Sequence, residues 1–258
     1  MKRNKLIWFY IFTIILTVVL GGAGGALFDE TNPTHYAIIL AMAQSAPAFG
    51  LLLVCAFGRD WDAFGEMKWC VPFKKIIWIF AAAIIPVVFI GGSALILSVT
   101  GTPFVKSAFG TAEAISVAIT ASVIGAAGEE IGWRGFMLPV LHKKHNLLIS
   151  AATTGFLWGL WHFGKIQLFG IAGYLLFTLL CVEFTVLMAW IFKKAGNSLI
   201  PMIVFHAMIN ISSLSFLNER EGFAFYAAAC IIGGVLCGIV ILADKTAFFS
   251  RVEEEHNA

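Results

Sequence analysis

Charge is what this sequence has least of. Aspartate, glutamate, lysine and arginine make up 12% of its 258 residues, against roughly 25% in a water-soluble protein. A soluble one- or two-domain fold is excluded, and lipid is the solvent for most of the chain. The formal net charge of +2 is small, and the basic residues are scattered through short connections between apolar runs. That excludes the basic face of a nucleic-acid binder, and no motif that reads DNA or RNA is present. The five cysteines, Cys55, Cys70, Cys181, Cys230 and Cys237, lack the paired spacing of a disulfide or zinc framework and read as small packing residues. Low-complexity tracts, internal repeats and the ten-residue alternating segments of a membrane β-barrel are also missing.

What is there is one apolar run after another. A helix needs about 20 mainly apolar residues to cross hydrocarbon, and eight stretches qualify: roughly 6–28, 35–57, 76–99, 108–130, 147–165, 168–192, 198–217 and 223–243. Turn-forming breaks such as Asp29-Glu30-Thr31-Asn32-Pro33 and Lys193-Lys194-Ala195-Gly196-Asn197 separate them. The expectation is an all-α, polytopic transmembrane bundle of about eight helices, a single integral membrane domain over 1–258. Lys2-Arg3-Asn4-Lys5 before Leu6 resembles the start of a signal peptide, but the run continues to Phe28 and reads as a first membrane helix. With the N-terminus inside, thirteen of the 17 lysines and arginines fall on inner segments and three, Lys106, Lys165 and Arg220, on outer ones, leaving Arg134 aside. The bias predicts a multi-pass protein of the cell membrane with both termini cytoplasmic. The inner segment from Arg59 to Lys75, with Trp61, Phe64 and Trp69, suits the headgroup region.

Within this apolar chain, Glu129, Glu130 and Arg134 close the fourth span, where charges must pair, reach water or bind something. Glu130 and Arg134, four apart, share a helical face and can pair. Glu129 points about a quarter turn away, so its partner must come from another helix. The histidines inside apolar stretches are His162 and His206, and Asn210 lies four residues after His206 on the same face. Gly125, Gly128, Gly132 and Gly135, and Gly155 with Gly159, form small-residue stripes; the expectation is that the helices bearing Glu129 and His162 touch through them. Two carboxylates, two imidazoles, a carboxamide and a guanidinium can hold a water and polarise a carbonyl, which fits hydrolysis of an amide. Counted along straight helices at 1.5 Å per residue, His206 lies about 12 Å from Ser198, while Glu130 and His162 lie about 22–25 Å from the turn at His145. A bend near Pro139, helix tilt or a turn projecting beyond the bilayer would bring them level. Glu183, Gln44 and Glu113 are further polar residues in or near spans; Glu183 reads as a packing or hydrogen-bonding residue.

Glu129-Glu130-x-x-x-Arg134, then a histidine four residues after an aromatic, then His206-x-x-x-Asn210, resembles the three motifs of the CPBP family, which contains the type II CAAX prenyl endopeptidases and bacteriocin-processing or bacteriocin-immunity proteins. The motif-bearing core covers 108–217, and the first three spans are only generically similar. Trp158 stands where the family usually has phenylalanine, an aromatic for an aromatic that keeps the packing role. The resemblance implies an intramembrane endopeptidase acting on a membrane-associated or leader-bearing peptide, with a chamber open to the cytosol. By it, Glu129 and His162 would activate water, His206 and Asn210 would stabilise the oxyanion, and Glu130 with Arg134 would hold the site in shape. On metal it leaves two readings open: Glu129, His162 and His206 as zinc ligands with an open fourth position, or a carboxylate acting alone. The sequence has no His-Glu-x-x-His.

Two other classes compete. An ion- or proton-coupled transporter would use intramembrane acids and histidines, but paired broken helices are absent. A catalytically idle immunity or partner-binding membrane protein has no need for three intact motifs. A rhomboid-like serine protease is disfavoured because Gly91-Gly92-Ser93-Ala94 lacks the last glycine of that family's motif.

Overall fold

The computed structural model describes residues 4–101, 111–215 and 222–250. Lys2, Arg3, Lys106, Arg220 and Arg251, counted above for orientation, lie outside the described residues, as do the start of the span read from 108 and the end of the one read to 217. The chain is a helical membrane bundle. Its long helices are α1 (Lys5–Leu27), α5 (Ile77–Val99), α6 (Ala112–Gly132), α9 (Lys165–Lys194) and α11 (Phe223–Ala243). Helices α2 (Pro33–Gln44) and α3 (Ala46–Gly58) together make one crossing, broken at Ser45 with Pro47 just beyond the break. Shorter are α4 (Asp62–Gly65), α7 (Leu138–His142), α8 (Leu147–Trp161), α10 (Ile200–Ser215) and α12 (Lys245–Phe249).

Six helical stretches among the described residues are long and apolar enough to cross a membrane. The spans expected at 147–165 and 198–217 correspond to the 15-residue α8 and, among the described residues, the 16-residue α10, both shorter than the ~20 residues that cross ~30 Å of hydrocarbon. One side of each packs into the bundle, where Trp158, Met202 and Phe205 belong to the core, while Ile149 and Phe156 of α8 stay half-exposed on its outer side. Outward faces carry Ile15, Val18, Ile84, Ile231 and Leu242, each more than half exposed, while Glu129, Glu130 and Arg134 are 0% exposed. That inversion of the soluble pattern is what a hydrocarbon solvent selects.

The glycine stripes do meet neighbouring helices, but not one another. A Cβ on Gly128 would lie 2.7 Å from the Ser45 Cα, and one on Gly132 would lie 2.5 Å from the Pro47 Cβ, so α6 presses on the break between α2 and α3. On α8, a Cβ at Gly155 or Gly159 would lie 2.6 Å from the Val182 Cα or 2.7 Å from the Thr178 Cα of α9. The expectation that these stripes join α6 to α8 is therefore wrong. Small residues mark where a backbone comes close without naming the partner, and α6 and α8 meet through long side chains.

For Glu130 and His206 the depth mismatch resolves at the end of the bundle crossed by the segment that follows α3. Trp133–Met137 form a π-helical turn between α6 and α7, closed by the Leu138 N–H on the Trp133 carbonyl. Beside it, the segment following α3 lies across the ends of several helices: Lys5 pairs with Asp60, and the Leu199 N–H donates to the Lys68 carbonyl at 2.8 Å. Gly135 abuts both Met67 and Leu199. Counted from that shared level, Glu130 is about 7.5 Å deep and His206 about 10.5 Å. The turn after α7 runs on beyond this level, so depth measured from His145 overstates the separation. Trp61, Trp69 and Phe73 are 52%, 46% and 86% exposed along this segment, as an interfacial belt requires. In α9, Gly170 at φ +67° interrupts the helical path, a conformation only glycine adopts cheaply.

Candidate active site

The end of α6, the end of α8 and the middle of α10 meet in one buried cluster. Arg134 Nη1 donates to Glu130 Oε1 at 2.9 Å, the i,i+4 pair read from the sequence. Its Nη2 donates to the Thr185 hydroxyl of α9 at 2.8 Å, and that hydroxyl donates to the Cys181 carbonyl at 2.8 Å. His206 Nδ1 lies 2.7 Å from the same Glu130 oxygen. A carboxylate only accepts, so this nitrogen carries the proton. The other face of the ring serves Glu129: His206 Nε2 is 3.7 Å from Glu129 Oε1. One imidazole thus stands between two neighbouring carboxylates, and the partner that Glu129 lacks on its own helix comes from α10 and α8.

From α8 the partner is Trp158, whose indole N–H donates to Glu129 Oε2 at 2.5 Å. The same indole carries the Arg134 guanidinium over its face, 4.3 Å from the ring centre, and meets the His206 ring edge-on at 5.2 Å. Sequence alone gives Trp158 a packing role; only the fold shows that its N–H is used. Thr185 is a second residue the motifs do not mark, and Gln44 of α2, close to Glu129, a third. Each is a polar atom in an apolar span, which is a signal, but many such atoms bond only their own helix, as Ser93 bonds the Phe89 carbonyl.

His162 caps α8. Its Nδ1 lies 2.9 Å from the Trp158 carbonyl and must donate to it, leaving Nε2 of a neutral ring as an acceptor. The ring packs against Trp161 and Phe177 at 4.6 and 4.9 Å, so His162 joins the cluster through Trp158 and not by touching Glu129. Asn210 follows His206 one turn later on α10, half-buried, and enters none of these hydrogen bonds. Glu183 of α9 faces α11 instead, where a Cβ on Gly233 would lie 2.2 Å from its Oε2.

Among the described residues no three histidine, cysteine or acidic side chains are gathered closely enough to share one ion.

A buried cluster of paired acids, imidazoles and a guanidinium, built from helix ends inside a membrane bundle, carries groups of the kind that can serve hydrolysis. The comparisons with known proteins agree. Residues 111–212 match the family described as type II CAAX prenyl endopeptidase Rce1-like. Over 278 aligned residues the chain is 25% identical to CAAX prenyl protease 2 of Methanococcus maripaludis, covering 97% of this chain and 98% of that protein. It is 21% identical over 243 residues to lysostaphin resistance protein A of Staphylococcus haemolyticus, covering 91% of this chain and 63% of that protein. The chain is similar to the Rce1-like type II CAAX prenyl endopeptidases and is an intramembrane endopeptidase.

Proposed function

We propose that Glu129 is the general base of this endopeptidase, and that it acts on the carboxylate oxygen facing His206. The carrying observation is the asymmetry of its two oxygens: Oε2 holds the Trp158 N–H, whereas Oε1 is buried without a hydrogen bond. Glu129 Oε1 takes a proton from water as the water oxygen bonds to the peptide carbonyl carbon. When the C–N bond breaks, the same carboxyl returns that proton to the departing amine, so acid and amine products balance. His162, with Nε2 as an acceptor, assists in orienting the water. His206 donates to the developing oxyanion through Nε2 when its ring carries both protons; two carboxylates, this imidazolium and the Arg134 guanidinium then sum to zero charge. Asn210 supplies a second donor, and such donors contribute about 3–4 kcal/mol each in a dry site. Glu130 and Arg134 hold the arrangement. The carboxylate does this work without zinc.

The substrate is a membrane-associated peptide that reaches the site from the cytoplasmic side. The excess of lysine and arginine on the inner segments supports that orientation, as does the site's shallow depth beneath the interfacial segment. The test uses purified protein in nanodiscs and a panel of quenched-fluorescent peptides, some ending in a prenylated CAAX sequence and some carrying apolar leaders. Cleavage of at least one class is expected, with Glu129→Gln reducing it about 10²- to 10⁴-fold. A Glu129→Gln variant that cleaves at the parent rate refutes this assignment.

A further inference from the structure

We infer that Trp158 is a positioning residue that selects which oxygen of Glu129 works as the base; the inference rests on the role of Glu129 proposed above. An indole has one donor and no acceptor. Here that donor is committed to Oε2 at 2.5 Å, with Trp158 3% exposed and Glu129 0% exposed. A carboxylate oxygen holding a charge-assisted hydrogen bond of this length is occupied and less basic than its twin. Rotation of the carboxylate is blocked too, because exchanging the oxygens breaks the bond before a new one can form. Proton uptake is left to Oε1, on the side of His206.

The indole is itself well fixed. The Arg134 guanidinium covers one face at 4.3 Å, and the His206 and His162 rings meet it edge-on at 5.2 and 5.7 Å. Its own carbonyl receives the His162 Nδ1–H. Gly155 and Gly159 on either side in the chain bring α8 against the α9 backbone, so the tryptophan cannot retreat from Glu129. One ring thus touches Glu129, Arg134, His206 and His162, residues of three helices. Phenylalanine would keep the stacking face and lose the donor, which makes the N–H separable from packing.

Two measurements test this. In micelles, protein with ¹⁵N-labelled indoles gives one side-chain resonance for each of its eight tryptophans, and Trp158→Phe identifies one by deleting it. Glu129→Gln should move that resonance further than any other; if it stays in place, the hydrogen bond and the proposal fall together. The second measurement is kinetic, on a peptide cleaved in the panel, with 3-benzothienylalanine at position 158, which puts sulfur where the N–H was. Expected is a fall in kcat of about ten- to hundredfold with KM unchanged, and the same fall in Trp158→Phe. Parent-like kcat in both variants overturns the proposal. Should Glu129→Gln cleave normally, the assignment of the base fails, while the indole resonance still reports separately on the Trp158 contact.

Discussion

Replacing Arg134 with methionine tests whether the cluster is held by ion pairing or merely encloses it. Methionine fills most of the volume, so little cavity forms, but the fully buried Glu130 keeps only His206 as a partner. Its second oxygen already lacks a hydrogen bond. Breaking a buried pair by removing one member costs about 3–5 kcal/mol, because the charge left behind stays desolvated. Loss of the stacking on Trp158 adds up to about 2 kcal/mol, while Thr185 keeps its bond to the Cys181 carbonyl and contributes little. Glu130→Gln should be costly for the converse reason, since it strands a guanidinium that is 0% exposed. The double variant removes both charges and should cost less than the sum of the singles by about 1–3 kcal/mol. Unfolding in mild detergent titrated with SDS, followed by circular dichroism, measures all four corners of this cycle. Single-variant costs that add to within about 0.5 kcal/mol would show that the two residues do not act as a pair, and the reasoning would fail.

Gly155→Ala should destabilise the protein by about 1–3 kcal/mol, since its Cβ would lie 2.6 Å from the α9 backbone, whereas Gly22→Ala, with nothing within 4 Å on α1, should be neutral or slightly stabilising; equal effects in the same SDS titration would contradict the packing. Cys70 is exposed on the interfacial segment, so a membrane-impermeant maleimide should leave it unlabelled in sealed right-side-out vesicles and label it once they are opened, and immediate labelling would invert the topology. Peptide cleavage should survive 1,10-phenanthroline unchanged; inhibition that added zinc reverses would refute the carboxylate-only mechanism. Burial works to raise the Asp244 carboxyl, but Lys194, Trp190 and the Ala247 N–H outweigh it and hold it below its ordinary 3.8. Its folded-state value being the lower, its stabilisation is present above the unfolded value and lost as pH falls through the folded one. A thermal scan should show Asp244→Asn costing at most about 1 kcal/mol at neutral pH and nothing near pH 2, and a gap that persists in acid would refute the pairing.

Residue types and spacing were enough for the membrane class, the Glu130–Arg134 pair and the need for Glu129 to find a partner on another helix, because each follows from local geometry and the cost of charge in hydrocarbon. Hydropathy could not tell that α8 and α10 are shorter than the long spans, since both are as apolar as a span yet are short helices packed largely against other helices. A run of apolar residues records only that water is absent, and both lipid and neighbouring protein meet that condition.

The partners were decided by tertiary structure. Two helices present many faces to one another, so nothing local told Gly128 to seat on Ser45 instead of α8, or Trp158 to turn its N–H to Glu129. Nor could residue counting place Glu130 level with His206, since that depended on where Leu199 docks against Gly135. Chain composition and motif spacing therefore specified which chemical groups the membrane must enclose, while the packing of short helices among long ones specified which atom faces which.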